Sequence, residues 1–452
     1  MISSLEDLLL LQSLLTLTIL VACAYFLARR GLFRWTSAGF WSWSAFAVYF
    51  FLNPLASLYW NITHYRFYLS ISGGLDHGAW IGLVALIGIV VFFVSYLSYS
   101  SHPVTWGLNS KYFTPGMKLI GAAFALIGII SFLSYRMFIG SHSQQFSIVA
   151  GRFIGQTTGY AYGAHMFIFF VIVSLLLAGE RIDKVMASGL TLGYVVFSFL
   201  SIWSRFTTIS LLIAFSLALT TLSKRKWPGV ISLVAIFVLA AVLIIRGHNP
   251  LANGRGALDI VTSIPNRVGA ILSSGDTAML ASWYAESYIK DEISGYDYGI
   301  PLLNYVIFGP IPGRIFPEKY FLIDWLQSIQ KPVTDPTLVA AMYGAKTSLF
   351  GSFYAHGGLI GVILLSVFAG FLCRKLDAML STESPNLVKT AGICMLSILW
   401  MAWGSSDTWC LMTMGTLVLP AIVVWVFAPK SRGQPHIIEP SPTTASRSCD
   451  NE

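Results

Sequence analysis

Charge is what this sequence has least of. Of its 452 residues only 11% are Asp, Glu, Lys or Arg, against 56% hydrophobic, whereas soluble domains carry about 25% charged residues. So few charges do not hold so much apolar side chain in water. Cysteine is scarce too: Cys23, Cys373, Cys394, Cys410 and Cys449 fall mostly in or beside apolar runs, and no CxxC is present. That argues against a disulfide framework, a zinc site or redox chemistry. Missing as well are a P-loop, a GxGxxG, a GxSxG and an HExxH, which removes the common signatures of soluble nucleotide, hydrolase and metalloprotease chemistry. There is no DxD pair to hold a metal-bound nucleotide sugar. Residues Met1 to Asp7 contain acids and no basic n-region, so the first apolar run is expected to be a retained span rather than a cleaved signal.

What is there in quantity is apolar sequence in runs of about 17 to 25 residues, each long enough to cross roughly 30 Å of hydrocarbon as a helix. The fold expected is an all-α polytopic membrane protein with about eleven transmembrane helices. The runs lie at residues 8–28, 38–58, 78–98, 117–135, 161–178, 186–203, 206–222, 228–245, 350–372, 388–403 and 409–427. The pair on either side of Ser204 and Arg205 also fits one broken helix. Phe, Trp and Tyr make up 14% of the chain, many near span ends, as in an aromatic belt at headgroup depth.

Lysine and arginine set the orientation, because the cytoplasmic side keeps the positive excess. The loops on one side carry Arg29, Arg30, Arg34, Lys224, Lys226 and Arg374 among others, while the short loops on the other carry only Arg66, Arg136, Arg152 and Arg205. The N-terminus is therefore expected outside and the C-terminus inside. The formal net charge of +8 (28 basic against 20 acidic residues) is accounted for by topology, and a nucleic-acid partner is not expected.

Four segments follow: spans over 1–245, a large external loop over 246–349, further spans over 350–430, and a Pro, Ser and Thr rich cytoplasmic tail over 431–452, expected to be disordered. The loop is close to neutral. Its stretches Ala257 to Leu272 and Ala278 to Ile289 are spaced as short amphipathic helices that could lie on the membrane surface.

The centres of the spans hold almost no ionisable residue. That counts against a proton- or sodium-coupled transporter, which keeps such groups at depth despite their cost, though not against a flippase working on a polar groove. The polar groups collect at the outer face instead, where a sugar donor would be lipid-linked. Glycan transfer from a lipid diphosphate needs cations to stabilise the leaving group and a base for the incoming hydroxyl. Arginine suits the first task, since its planar fork binds phosphate oxygens bidentately. Arg205 is the best placed, in an external turn too short to need a charge; Arg255, Arg267 and Arg314 in the loop could close over the diphosphate. The ordinary alternative for each is a snorkelling side chain or a surface ion pair. Candidate bases include His356, in Tyr354-Ala-His-Gly-Gly, and Glu286, in Trp283-Tyr-Ala-Glu-Ser-Tyr, with Asp297, Asp335 and Asp407 behind them. Histidine titrates near neutral pH; its ordinary alternative is a hydrogen-bonded helix start, and that of Glu286 is an exposed loop carboxylate.

These loop residues resemble a known family. Gly309-Pro-Ile-Pro-Gly-Arg-Ile-Phe-Pro-Glu-Lys319 is similar to the proline, arginine, tryptophan-proline and lysine segment in the large external loop of bacterial oligosaccharide repeat-unit polymerases, the Wzy-type O-antigen polymerases. Ser348-Leu-Phe-Gly-Ser-Phe-Tyr-Ala-His-Gly-Gly-Leu-Ile-Gly361 is similar to that family's entry into the following span, and Trp203-Ser-Arg205 to its Gly-Ser-Arg turn. The chain departs from the pattern at the inserted Gly313, at Ser352 where glutamate is common, and at His356 and Gly357 where asparagine and phenylalanine are common. The resemblance implies a GT-C-like, metal-independent glycosyltransferase without a cofactor, which joins undecaprenyl-diphosphate-linked units into O-antigen or exopolysaccharide at the periplasmic face of the inner membrane. It implies diphosphate binding by Arg205, Arg314, Arg255 and Arg267, catalysis by His356 or Glu286, and substrate binding by Lys319, Tyr354 and Tyr296. Expected partners are the lipid-linked oligosaccharides, the bilayer, a flippase and a chain-length regulator. Two other functions fit the same plan: an O-antigen ligase-like glycan transferase, and a flippase or transporter for lipid-linked oligosaccharide.

Overall fold

A computed structural model describes residues 4–100, 167–178, 180–200, 205–230, 279–308, 347–381 and 387–404, with 232–233, 268–269, 272–273 and 335 between them. All regular structure among these residues is helical. The spans expected at 117–135, 228–245 and 409–427 fall wholly or almost wholly outside the described residues, as do most of the helix expected over 257–272 and the tail from 431.

Among the described residues, three helices are long and apolar enough to cross a membrane: α1 (Leu5–Arg29), α5 (Leu75–Ser98) and α11 (Ser348–Leu380). At 1.5 Å per residue the first two reach about 36 to 38 Å, enough for the hydrocarbon core. Ser4 caps α1 by accepting from the Asp7 N–H at 3.1 Å, and Glu6 and Asp7 lie where the helix dipole favours negative charge. The run at 38–58 becomes α2 (Ala38–Phe46), one π-helical turn (Ala47–Leu52) and α3 (Asn53–Tyr59). Pro54 explains the widened turn, because its ring lacks an N–H and would crowd the carbonyl four residues back. A short α4 (Thr63–Ser70) leads into α5. Beyond these lie α6 (Phe167–Ala178), α7 (Arg181–Leu200) and α8 (Arg205–Leu222); the junction between α7 and α8, where the sequence also fits one broken helix, lies outside the described residues. The rest is α9 (Met279–Tyr288), α10 (Ile300–Phe308), α11 and α12 (Leu387–Trp403).

The centre of the bundle is the pairing of α5 with α11. Small residues let the two axes approach: a Cβ on Gly370 would stand 2.8 Å from the Phe92 carbonyl, and one on Gly88 would stand 3.0 Å from Val362. Close backbone approach of this kind drives helix association where lipid removes the hydrophobic term. Ser95 donates to the Val367 carbonyl at 2.8 Å across the same seam. Phe46, Phe92, Phe350 and Trp403 close the core from α2, α5, α11 and α12, with Trp403 4.6 Å from Phe46 and 4.9 Å from Phe92 in edge-on geometry.

One end of the bundle gathers the basic loops. Arg30 Nη1 donates to the Leu97 carbonyl at 2.7 Å, the Trp35 N–H to that of Lys226 at 3.0 Å, and Arg374 Nε to that of Tyr99 at 3.1 Å. Arg30, Lys226 and Arg374, grouped on one side by the sequence reading, thus lie at one end of the bundle.

The helix expected over Ala278 to Ile289 is present as α9, but it does not lie on a surface. Residues Met279 to Ser287 are all buried, packed against α4, α5 and α11. Two of its polar side chains find partners within the bundle: Tyr284 donates to Gln12 Oε1 at 2.7 Å, and Ser287 meets His77 at 2.8 Å. A helix with small, aromatic and internally bonded residues on every side has no polar face to offer water. The corrected picture is a buried strut reaching in from the loop.

Candidate functional site

At the end of the bundle opposite the basic loops, α11 breaks. Gly357 and Gly358 leave helical geometry, Gly358 with φ +59°, a conformation that only glycine adopts without strain. A Cβ there would also stand 2.7 Å from the Tyr296 hydroxyl. The break frees backbone carbonyls that must find donors. They do: the N–H groups of Asp297 and Tyr298 donate to the carbonyls of Ala355 and His356 at 3.0 and 3.1 Å.

This pinning brings three ionisable side chains together. Lys290 comes from the π-helical turn Ile289–Ser294 that ends α9, Asp297 from the Gly295–Gly299 turn, whose two glycines have φ +75° and +74°, and His356 from the residue before the break. Asp297 Oδ1 lies 2.6 Å from His356 Nδ1 and 3.0 Å from the Gly299 N–H; its Oδ2 takes the Lys290 ammonium at 3.3 Å. Lys290 and Asp297 are 1% exposed and the His356 side chain 11%. Burial pushes the Asp297 carboxyl upward, but the His356 hydrogen bond, the charges of His356 and Lys290 and the Gly299 N–H together outweigh it and hold the group below the usual carboxylate range. With Nδ1–H committed to a carboxylate, Nε2 is the basic nitrogen of the neutral ring. This arrangement can take up and return a proton at a hydroxyl.

A second polar group adjoins the first. Asp291 accepts from the Tyr296 hydroxyl at 2.6 Å through Oδ1 and from Tyr354 at 2.8 Å through Oδ2. The indole N–H of Trp80, near the start of α5, reaches the Tyr354 hydroxyl at 3.4 Å. Burial, reinforced by Asp291, pushes the Tyr296 hydroxyl up to about 12, so it stays protonated and donating.

Of the residues singled out from sequence, His356, Tyr354, Tyr296 and Asp297 are brought together. Glu286 is 4% exposed, not a loop carboxylate in water; its Oε2 lies where a Cβ on Gly351 would come within 3.1 Å, against the first turn of α11. Arg205 begins α8, with only its backbone described. Arg255, Arg267, Arg314 and Lys319 lie outside the described residues, as do His165 and Asp407; Asp335 is exposed. No group of His, Cys, Asp and Glu among the described residues could hold a metal ion.

Sequence reasoning missed Lys290, Asp291, Trp80 and His77. The segment Ile289-Lys-Asp-Glu-Ile-Ser-Gly-Tyr-Asp-Tyr-Gly299 carried the signal for the first two: two glycines four apart frame a turn between an acidic stretch and an aspartate. Comparison of the chain with protein families, with curated proteins and with solved structures returns no match to any of them.

Proposed function

We propose that this chain is a membrane glycosyltransferase that joins lipid-linked oligosaccharide repeat units, a metal-independent polymerase of the Wzy type. The observation that carries the reading is the His356–Asp297–Lys290 set at a broken helix, on the end of the bundle opposite the basic loops. The apolar part of α11 between the break and Arg374, residues 359–373, rises about 22 Å, most of one hydrocarbon thickness. On this reading His356, at the far end of that stretch from Arg374, stands near headgroup depth, where a lipid diphosphate lies.

In this reading His356 Nε2 takes the proton of an acceptor sugar hydroxyl as its oxygen bonds to the anomeric carbon of the donor sugar. The bond from that carbon to the lipid diphosphate breaks, and the departing oxygen keeps the electron pair. Asp297 holds the ring's tautomer and steadies the imidazolium that forms, and Lys290 holds Asp297. Arg205, Arg314, Arg255 and Arg267 neutralise the diphosphate, while Lys319, Tyr354 and Tyr296 bind the sugars. Glu286 is the second candidate base. About eleven spans, a periplasmic N-terminus, a cytoplasmic C-terminus and a bacterial inner-membrane location belong to the same proposal, with a flippase and a chain-length regulator as partners.

The test is incubation of purified protein with undecaprenyl-diphosphate-linked repeat units, without nucleotide sugar or metal. Products longer than one unit are expected, and Arg205→Ala and Arg314→Ala should each remove them. Full-length ladders from both variants at normal protein level would reject the arginine roles; a wild-type protein that only moves finished polymer to another acceptor would be a ligase.

A further inference from the structure

The polar chain beside His356 has a use that proton transfer does not require. Trp80 is 40% exposed although it lies near the start of a packed helix. Its N–H points along the sequence Trp80 to Tyr354 to Asp291, and Tyr296 donates to the other oxygen of the same carboxylate. A carboxylate offers about four lone pairs; the two tyrosines take two, and Asp291 is exposed. Tyr354 is two residues from His356, and Tyr296 is next to Asp297, so both ends of this chain are tied to the proton-transfer set. The Tyr296 and Tyr354 rings meet edge to face at 6.0 Å, which fixes their orientation. A 40% exposed indole beside an exposed carboxylate that two tyrosine hydroxyls hold in place matches what a pyranose needs: an aromatic surface to stack on and an acceptor for its hydroxyls.

We infer that Trp80, Asp291, Tyr296 and Tyr354 form a carbohydrate subsite that holds the acceptor sugar with one hydroxyl toward His356. Trp80 stacks on the ring, and Asp291 accepts from neighbouring hydroxyls while the tyrosines keep the carboxylate in place. The inference rests on the glycosyltransferase reading but is separable from it, because it concerns sugar binding and not bond formation.

The experiment uses the full-length protein in detergent and, as probe, the free repeat-unit oligosaccharide released by mild acid from the cell's own lipid-linked units. Equilibrium binding is measured for the wild type and for Trp80→Ala, Trp80→Phe, Asp291→Asn and His356→Ala, each checked for an unchanged melting temperature. Asp291→Asn is isosteric, and Trp80→Phe keeps an aromatic face, so these two remain informative should Trp80→Ala fail to fold. Supporting the subsite would be a rise in Kd of at least about tenfold for Trp80→Ala and Asp291→Asn, about threefold or less for Trp80→Phe, and a smaller rise for His356→Ala than for Trp80→Ala, although His356→Ala loses chain extension. Equal binding by the wild type, Trp80→Ala and Asp291→Asn would overturn the subsite and leave the transferase reading standing. So would a wild type that extends lipid-linked units yet does not bind the free oligosaccharide. Absence of both binding and extension would remove the two proposals together.

Discussion

Two buried aspartates, one packed at each end of α11, show how partners decide what a carboxylate does. Asp377, at the basic end, is 2% exposed. It accepts from the Ala38 N–H at 2.7 Å, from Ser37 at 3.4 Å and from the Tyr96 hydroxyl, with Arg374 3.7 Å away. It serves as an N-cap supplied from a distant helix, tying the start of α2 to α5 and α11. Nearly all its bonds come from groups that keep their protons at ordinary pH. Asp297 is as deeply buried, but it is held by an imidazole and an ammonium beside a helix break, and the imidazole retains some access to the outside. The first carboxylate fixes a structure; the second, on the proposed reading, steadies a charge that comes and goes.

The strongest way to break that contrast is at His356. His356→Ala should lower chain extension by about 10² to 10⁴-fold, the usual contribution of general acid–base catalysis, with little change in melting temperature. Asp297→Asn should cost on the order of 10²-fold or more, because an amide can present its own donor to Nδ1 and favour the wrong tautomer. Steady-state rates on lipid-linked repeat units, normalised to folded protein, decide the matter. Near-normal rates in both variants would reduce the cluster to a structural device like its counterpart.

Asp377→Ala probes the other side. It removes the acceptor from a buried N–H and from a buried tyrosine hydroxyl, each loss costing about 1–3 kcal/mol, so the protein should melt lower in detergent by a corresponding margin. The extension rate of the molecules that remain folded should stay within a few-fold of wild type. A variant that keeps its stability and loses its rate would mean that Asp377 belongs to the chemistry.

Gly358→Ala acts on the break itself and should have a smaller effect. A positive φ combined with ψ −145° is backbone that essentially only glycine adopts, costing a residue with a Cβ about 1–3 kcal/mol, and the new methyl would meet Tyr296. A modest drop in melting temperature should accompany a partial loss of activity, because the Asp297 and Tyr298 N–H groups lose register with their carbonyls. A fully active Gly358→Ala protein would show that the break is not what positions His356.

How much of this was legible in the sequence follows from which forces are local. Hydropathy marks α1 and α5 to within a turn, because an apolar run of sufficient length has few other fates. It ends α11 too early: the expected span stops at 372, and the helix continues to Leu380, since Arg374-Lys-Leu-Asp leaves the hydrocarbon without leaving helical geometry. The burial of α9 was not legible, because Gln12 and His77, which satisfy its tyrosine and serine, are about 200 or more residues away in the chain. Asp297 read as one candidate base among several, and Lys290 as one more charge in a neutral loop. Only the turn that folds seven residues back on themselves makes them a pair, and only the break in α11 gives that pair a histidine. The glycine pair after His356 was visible in the sequence; that the helix breaks there and that Tyr296 approaches the break was not.

The smallest expected effect is a pH-independence. The Asp297 carboxyl is held below its ordinary value, 3.8, so its charged form is favoured by folding. A carboxyl depressed in the folded state contributes stability that is complete above its unfolded value and is lost only as pH falls through the folded one. Between pH 5 and 8 Asp297 should therefore stay ionised, and the pinning of the Gly295–Gly299 turn to α11 should not weaken. Any acid limb in kcat/KM over that interval then reports another group, and histidine is the side chain that ordinarily titrates there. The measurement is a pair of profiles, melting temperature and kcat/KM, on the same preparation. A flat melting profile beneath a falling rate would assign the limb to proton transfer. A melting temperature that falls as pH rises through the histidine range, where an imidazolium beside Asp297 gives up its proton, would show instead that the Asp297 contact, like the one around Asp377, exists to hold helices in place.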